Sequence, residues 1–336
     1  MKITRTAVVM LALAAVLISA LAAGAQQQGP VTLRLKFQPN QVVKYRAFAR
    51  VDGSVEAQMP QAGTGMPGAI PMQASITANL TTKTLGVDST GSGRLSMRLD
   101  GLDMVMQLMG KNMKMKLAGG KLTMSADGQP VQSMPLMGMP GLPQGQKLPL
   151  VQEPITIKFD PRGRVTDVTI PGMPVVPGMD MRMLMQQNQF TFPEQAIGLG
   201  ETWSEHQEVP LGGTPLVIDA NYTLERLESK NGKSFATIRV GVNSRLDNAD
   251  MGEMMKAGQA AGQPAPPVNM QGTMSMAQTL NGVLLFNVTA GQISRFDFEA
   301  GQQMASNSAM AMPNGGQQVN MGMNMNFTIK GAIAAL

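Results

Sequence analysis

The sequence contains no cysteine and a single histidine among its 336 residues. The lack of cysteine excludes disulfide bonds, thiol nucleophiles, a lipidated cysteine anchor and zinc sites with thiolate ligands. A Gly-x-Ser-x-Gly motif is also absent and the acidic residues are scattered, so the sequence presents neither an activated serine nor a pair of carboxylates for acid–base chemistry. We therefore expect a protein that is not an enzyme and that has no cofactor.

Aromatic residues and net charge are also low. One tryptophan, two tyrosines and ten phenylalanines are too few for the two aromatic girdles of an outer-membrane barrel. The formal charge is +5, and about +3 when Lys2 and Arg5 of the leader described below are left out. A charge this small gives no reason to expect a nucleic acid partner.

Residues 1–25 have the pattern of a secretory signal peptide. Lys2 and Arg5 form a basic start, 7–20 is an apolar core, and the small residues at 23–25 form a cleavage site. No later apolar run reaches the roughly 18 residues that a membrane-spanning helix needs. The pattern predicts an exported, soluble protein of the periplasm or extracellular space, which neither spans the membrane after cleavage nor carries a lipid anchor.

Alternation between apolar and polar residues dominates the remaining sequence and predicts antiparallel strands with one buried face. It is clearest in Val319–Ile329, where odd positions are apolar and even positions are polar or glycine. The same pattern predicts strands at Leu33–Phe37 and Val43–Arg50. Asn231-Gly232 and Asn281-Gly282 predict two-residue hairpin turns, because this dipeptide tolerates the positive φ angles of such turns. Stretches rich in Met, Pro, Gly and Gln, such as Gln302–Gln318, predict loops.

Two internal matches divide the chain into related halves. Ile76–Thr81 is similar to Ile218–Thr223, and each match is followed by a leucine and a turn. Gly163–Ile170 is similar to Gly291–Phe298, and each begins with a glycine turn that leads into an alternating strand.

These matches predict an N-terminal β-rich half at 26–175, a helical linker at 176–200 and a C-terminal β-rich half at 201–336. Helical spacing indicates one short helix at Met179–Gln189 and a second candidate at Ala249–Ala261. The expected fold class is all-β with one or two short helices, in which two related antiparallel meander halves form large curved sheets or open half-barrels.

Methionine is the most unusual residue type, with 32 copies. Many copies lie at alternate positions of predicted strands, where the thioether side chain is an adaptable apolar group. A curved sheet with such a face would form a pliable cavity for a lipid, an acyl chain or another apolar molecule, and the same pattern is also typical of an ordinary packed core. The candidate ligand-lining residues are Met104, Met106, Met113, Met115, Met274, Met276, Met321, Met323, Met325 and Phe327.

Two other functions are compatible with the sequence. Thioether sulfur is a soft ligand that suits Cu(I), and the metal candidates are Met134, Met137 and Met139 in a Met-Pro-rich loop. No histidine accompanies these methionines. The third hypothesis is a structural or interaction module whose Met-Pro loops bind another protein of the cell envelope.

The lone histidine and the lone tryptophan lie close together, at His206 and Trp203. No nucleophile accompanies His206, which favours a solvated or hydrogen-bonded structural role. Trp203 follows a glycine turn at the start of the second half, where an indole commonly anchors a core.

Three segments resemble a family of secreted bacterial β-rich proteins classed as a domain of unknown function. They are an L-x-L-x-F-x-P-x-Q-x-x-x-Y pattern that begins at Leu33, an F-D-P-x-G-x-V hairpin that begins at Phe159, and a P-x(6)-G-E-T-W segment that begins at Pro193. The resemblance implies export and a β architecture, and it brings no catalytic residues. By fold analogy alone, the long curved strands are also similar to the periplasmic lipoprotein carriers of the LolA/LolB type.

Overall fold

The protein is built around one large antiparallel sheet. The computed structural model describes residues 29–58, 68–108, 110–119, 121–130, 154–169, 190–211, 213–253, 270–310 and 319–336. Within these ranges the chain forms a 14-stranded sheet and one helical turn at 251–253, which confirms the predicted all-β class. The strands are β1 Val42–Gln58, β2 Ala69–Val87, β3 Gly93–Leu108, β4 Lys111–Ala118, β5 Lys121–Ala126, β6 Gln129–Pro130, β7 Ile155–Phe159, β8 Val165–Thr169, β9 Thr202–Leu211, β10 Thr214–Lys230, β11 Lys233–Asp250, β12 Met270–Asn287, β13 Gln292–Met310 and β14 Val319–Ala335.

The strand order is β6-β5-β4-β3-β2-β1-β14-β13-β12-β11-β10-β9, with β7 paired to β3 and β8 paired to β7. The first long strand therefore pairs with the last, so that the predicted N-terminal and C-terminal halves contribute to one continuous sheet. The strand ladders of the described residues do not close this sheet into a barrel, because β9 pairs with β10 alone and β8 with β7 alone.

The two sequence matches occupy corresponding places in this sheet. Strands β1-β2-β3-β7-β8 form one meander and β9-β10-β11-β12-β13 form another, with β14 between them. Ile76–Thr81 lies in β2 and Ile218–Thr223 lies in β10, the second strand of each meander. Gly163 and Gly291 have positive φ angles of 93° and 64° and lie in the turns that lead into β8 and β13.

Alternation gives the sheet one apolar and one charged face. Ile238 faces Leu284, which faces Phe296 on the next strand, and we call the side of the sheet with these residues the inner face. The opposite, outer face carries ion pairs between residues two apart on one strand, such as Arg50–Asp52 and Arg295–Asp297. Because these side chains are largely exposed, the pairs add little stability and serve mainly to keep the outer face hydrated.

Two irregular segments cover one end of the inner face, which we call the packed end. The N-terminal segment, 29–41, contributes Leu33, and the linker segment, 190–201, contributes Phe192 and Ile197. Leu33 is 0% exposed and Phe192 is 2% exposed. They pack against inner-face residues of β10 to β13, namely Ala220, Tyr222, Leu224, Ala236, Ile238, Val240, Leu284, Phe286 and Phe296.

Hydrogen bonds from the N-terminal segment show that the sheet curls at the packed end. Leu35 N donates to Pro161 O in the β7–β8 turn at 2.7 Å, and Lys36 N donates to Gly291 O in the β12–β13 turn at 3.0 Å. In a flat sheet the five strand spacings from β7 to β13 would hold these turns roughly 24 Å apart. Because adjacent residues bind both turns, the sheet must curl around the N-terminal segment.

Arg162, in the β7–β8 turn, links this part of the sheet to the opposite edge. Its guanidinium lies 2.9 Å from Glu205 of β9 and 2.6 Å from Glu194 of the linker segment, and its Nε donates to Phe192 O at 2.8 Å. The Arg162 side chain is only 15% exposed. Two edges of the sheet are therefore brought together by a partly buried arginine instead of a strand ladder.

Glycines on the inner face lie beneath phenylalanine rings. A Cβ atom added to Gly93 would lie 2.2 Å from the Phe37 ring, and one added to Gly282 would lie 2.6 Å from the Phe296 ring. Inner side chains converge in a curled sheet, and the missing side chains let these rings approach the backbone. The same arrangement occurs at the pairs Gly53–Phe327 and Gly331–Phe298.

One of the two predicted Asn-Gly turns is wrong. Asn231-Gly232 forms the β10–β11 turn, with φ angles of 52° and 72°. Asn281-Gly282 lies inside β12, where Gly282 makes room for the Phe296 ring. The dipeptide Asn-Gly therefore does not distinguish a glycine needed for a positive φ angle in a turn from a glycine needed for the close approach of a ring.

Other segments differ from the sequence prediction at their boundaries. Leu33–Phe37 is irregular, because it crosses the inner face and does not pair with a strand. Residues 302–310 of a predicted loop continue β13, whereas the candidate helix at 249–261 begins as the end of β11 and the helical turn at 251–253. The described part of the predicted helical linker, 190–200, is irregular, and Met179–Gln189 lies outside the described residues.

Replacing Leu33 by alanine is expected to lower the free energy of unfolding by about 2–5 kcal/mol, because the leucine is fully buried in the core. Denaturant unfolding followed by Trp203 fluorescence measures the change. Leu199→Ala is the matched control, since Leu199 is 61% exposed, and it should change stability by at most about 0.5 kcal/mol. Equal effects would contradict the packing of the N-terminal segment.

Gly163→Ala is expected to destabilise the protein more than Gly110→Ala. Both glycines have positive φ angles, of 93° and 76°, so alanine adds a strain of about 1–2 kcal/mol at either position. At Gly163 the new Cβ would also lie 2.4 Å from Phe190 O, whereas at Gly110 no atom of the described residues, other than the flanking ones, lies within 4 Å of it. The thermal midpoints of the two variants test this difference, and equal midpoints would argue against the contact between the turn and the linker segment.

Candidate apolar binding site

A cavity of about 210 Å³ lies on the inner face, where the N-terminal segment crosses β1, β2, β3 and β7. Leu35 and Phe37 of the N-terminal segment line one side, and Tyr45 of β1 and Met97 of β3 line the sheet side. The other apolar lining residues are Val43, Leu95, Ile157, Phe159 and Ile293. The lining is suited to a hydrocarbon group.

The ionisable groups around the cavity are neutral or engaged with the protein. Burial raises the pKa of the Tyr45 phenol, so this group stays uncharged at neutral pH. Lys36 Nζ donates to the backbone carbonyls of Val288 at 3.2 Å and Thr289 at 3.1 Å. The cavity therefore presents no unpaired charge from these two residues to an apolar ligand.

A strip of small side chains continues from the cavity along β1 and β2. Ala47 faces Ala78, and Val51 faces Ala74, in the register of these two strands. Ala49 lies between them on the same face of β1, since side chains alternate along a strand. On β2 these small residues are interspersed with Ile76 and Leu80, so the strip is apolar along its length.

Methionines flank the strip on the side of β3, β4 and β5. Met104 faces Met115, which faces Met124, so that three neighbouring strands carry methionine in one rung. In the next rung Met106 faces Met113. All five side chains are partly exposed, and they belong to neither of the two buried hydrophobic clusters found among the described residues.

Methionines also occupy the inner face on the other side of the strip. Met325 of β14 faces Met304, which faces Met276 of β12. Met276 and Met274 pack against a second buried cluster, and Met276 Sδ accepts a weak contact from Gln302 Nε2 at 3.9 Å. The second cluster consists of Val209, Leu216, Ile218, Leu246 and Ala249.

The register thus places the sequence-predicted lining residues whose side chains are described on the inner face, in two groups. Met104, Met106, Met113 and Met115 lie on the side of β3 and β4, and Met274, Met276, Met323, Met325 and Phe327 lie on the side of β12 and β14. The side chain of Met321 lies outside the described part of the protein. The cavity itself was missed by the sequence analysis, because the alternation of 33–37 is typical of a strand. Met134, Met137 and Met139 lie outside the described residues.

A second cavity, of about 480 Å³, opens mainly on the outer face. Asp52, Ser54, Thr279, Gln303 and Asn326 line it. These hydrogen-bonding groups would lose water on contact with an apolar molecule. This cavity is therefore a poor site for the ligand class that the inner face suits.

His206 is exposed on the outer face and makes two polar contacts. Its Nδ1 lies 2.7 Å from Asp219 Oδ1, and its Nε2 lies 3.5 Å from Glu208 Oε1. These carboxylates, Asp219 first, raise the pKa of His206. No group of three or more His, Asp or Glu side chains that could hold a metal ion occurs in the described ranges.

Trp203 lies at the packed end, as its position after a glycine turn predicts. Its ring stacks on Tyr222 with centroids 5.1 Å apart, and its Nε1 donates to Thr191 O at 2.7 Å. Burial raises the pKa of Tyr222 to about 12. These contacts assign Trp203 to the core, away from the cavity.

No protein-family model and no curated protein sequence matches the chain. Among solved structures, OccK7 of Pseudomonas aeruginosa is 8% identical over 88% of this chain and 99% of its own, with a TM-score of 0.19. OccK5 of the same organism is 8% identical over 87% and 98%, with a TM-score of 0.18. A DUF3598-family protein of unknown function from Nostoc punctiforme is 11% identical over 82% and 94%, with a TM-score of 0.07.

Likeness at these TM-scores supports no inference about function. The resemblance to a secreted family of unknown function gains no support from a family model, and the LolA/LolB analogy stays a prediction. In the part of the chain that the structure describes, no helix has the length and apolar character needed to cross a membrane.

The imidazole of His206 is expected to titrate above its ordinary pKa of about 6.5. With a raised pKa, the ion pair with Asp219 stabilises the fold fully below about pH 6.5, and this contribution is lost as the pH rises through the folded-state pKa. Because the chain has one histidine, an NMR titration follows a single imidazole. Asp219→Asn should lower the pKa, and Asp52→Asn, distant on the outer face, should leave it unchanged. A wild-type pKa at or below 6.5 would contradict the pairing.

Proposed function

We propose that this protein is an exported, non-enzymatic binder of an apolar molecule, such as a lipid or acyl chain. The observation that supports this function best is the continuity of the inner face. A strip of mostly small residues on β1 and β2 is flanked by Met104 and Met106 on β3 and by Ile329 and Ile333 on β14, and it leads to the apolar cavity at the packed end.

The shape of the strip suits an extended hydrocarbon chain. Leu80, Ala78 and Ile76 follow one another on the inner face of β2, between the cavity residue Thr82 and the rung of Met104. Thr82 and Ile76 are six residues apart, which is roughly 20 Å along the strand, and the strip is only two strands wide. Each methylene group that leaves water contributes about 0.8 kcal/mol, and affinity should therefore rise with acyl chain length.

Methionine is well suited to line such a site. Its unbranched side chain adapts to the shape of a bound molecule, whereas leucine and isoleucine hold a more fixed shape. Met104, Met106, Met113 and Met115 are partly exposed, so they retain surface that a ligand can cover. The arrangement favours recognition by apolar contact over recognition of one particular polar group.

Ala78→Phe is expected to weaken binding of a fluorescent fatty acid by about tenfold or more, which corresponds to at least about 1.4 kcal/mol. Ala78 faces Ala47 and Leu102, and a phenyl ring there would occupy the strip between the cavity and the methionines. Ala305→Phe is the matched control, because Ala305 is exposed at an odd position of β13, on the outer face. Fluorescence titration measures both affinities.

Thermal unfolding of both variants verifies that they fold. If the wild-type protein does not bind the probe, or if the two variants bind it equally, the proposal is wrong. Native mass spectrometry of the mature protein from a periplasmic fraction, prepared without detergent, provides a second test. An adduct of lipid-like mass that organic solvent extracts would support the proposal, whereas failure to recover the protein in that fraction would contradict export.

A further inference from the structure

Five methionines on β3, β4 and β5 form a compact group on the inner face. The rung Met104–Met115–Met124 crosses three neighbouring strands, and Met106–Met113 forms the adjacent rung. Facing residues of antiparallel strands have Cβ atoms about 4.5–5.5 Å apart. The methionine side chain has three rotatable bonds, so Met104 and Met124 can lean towards the central Met115 from both sides.

The chemistry of this group is that of a soft metal site. Thioether sulfur binds Cu(I) in preference to hard divalent ions. Lys114 and Lys116 alternate with the methionines of β4 and therefore point to the outer face. Leu102 and Leu117, the facing residues that flank the rung on the inner face, are apolar. On the inner face, the metal-binding atoms that β3, β4 and β5 bring together are thus methionine sulfur atoms, and their surroundings are apolar.

Packing alone does not account for sulfur at these positions. The five side chains are partly exposed and belong to neither buried cluster of the described residues. Met276, in the comparable rung on β12 to β14, is by contrast packed against the second cluster and in contact with Gln302. Leucine would cover the same apolar surface of β3 to β5, so what methionine adds there is three adjacent sulfur atoms on side chains that are not packed in a buried cluster.

We propose that Met104, Met115 and Met124 bind one Cu(I) ion through their sulfur atoms. This site is distinct from the predicted copper ligands in the loop, and it does not depend on the proposed apolar function. Replacement of methionine by leucine removes sulfur and keeps the apolar surface, so copper binding and fatty acid binding can fail separately.

The test is an anaerobic competition for Cu(I) between the full-length mature protein and a chromophoric chelator. The wild-type protein is expected to withdraw about one Cu(I) more per chain than the triple variant Met104→Leu/Met115→Leu/Met124→Leu. The matched control is Met72→Leu/Met97→Leu/Met323→Leu. Each of these methionines lies on the inner face and has no methionine directly opposite it on the neighbouring strands. The control should bind as much Cu(I) as the wild type.

NMR of methionine methyl groups identifies the ligands directly. The signals of Met104, Met115 and Met124 should shift when Cu(I) is added, and the bound copper should persist at mildly acidic pH, because a thioether takes up no proton. No uptake of Cu(I) by the wild type would overturn the proposal. Unchanged uptake by the triple variant would also overturn it. A variant with leucine at Met134, Met137 and Met139 provides the last comparison: if this variant loses the ion and the triple variant keeps it, the proposal is wrong. A fatty acid titration of the wild-type protein tests the apolar function separately from copper uptake.

Discussion

The curl of the sheet depends on the contacts that the N-terminal and linker segments make at the packed end. The 19 residues of β2 span roughly 63 Å, and a flat sheet of such strands would leave its apolar face in water. Leu33 and Phe192 cover part of that face, and Arg162 holds the linker segment and the β9 edge together. The fold is therefore closed at one end by irregular segments that carry core residues.

The two ends of the inner face differ because one of them is filled and the other retains surface. Aromatic and aliphatic side chains pack tightly at one end, with Phe190 against Phe296 and Phe192 against Phe286. Methionines and small residues follow along β1 to β5, where the side chains are mostly partly exposed. One alternating pattern thus serves stability at the packed end and leaves apolar surface beyond it. Both proposals concern this surface: a hydrocarbon would bind through its shape and a soft ion through sulfur.

Much of the sheet could be predicted from the sequence, because period-two alternation reports directly which residues share a face. Val319–Ile329 lies within β14, and Val43–Arg50 lies within β1. The methionines assigned to a common face do share it. Strand order could not be predicted, since alternation contains no information about which strand is the neighbour. The N-terminal segment also alternates, but it buries Leu33 by crossing the sheet, and only the tertiary structure distinguishes these two ways of burying a residue.

The pairing of β1 with β14 determines when the sheet can form. Val51 faces Ala74 on one side and Ile329 on the other, so the middle of the sheet joins residues from opposite ends of the chain. Closing so long a loop carries an entropic penalty, and folds with many distant contacts form slowly. A chain emerging from the ribosome can pair β1 with β2 early, but it cannot complete the central ladder until β14 has been made. The centre of this sheet is therefore the last part to be assembled, and until then the two meanders are not joined to each other.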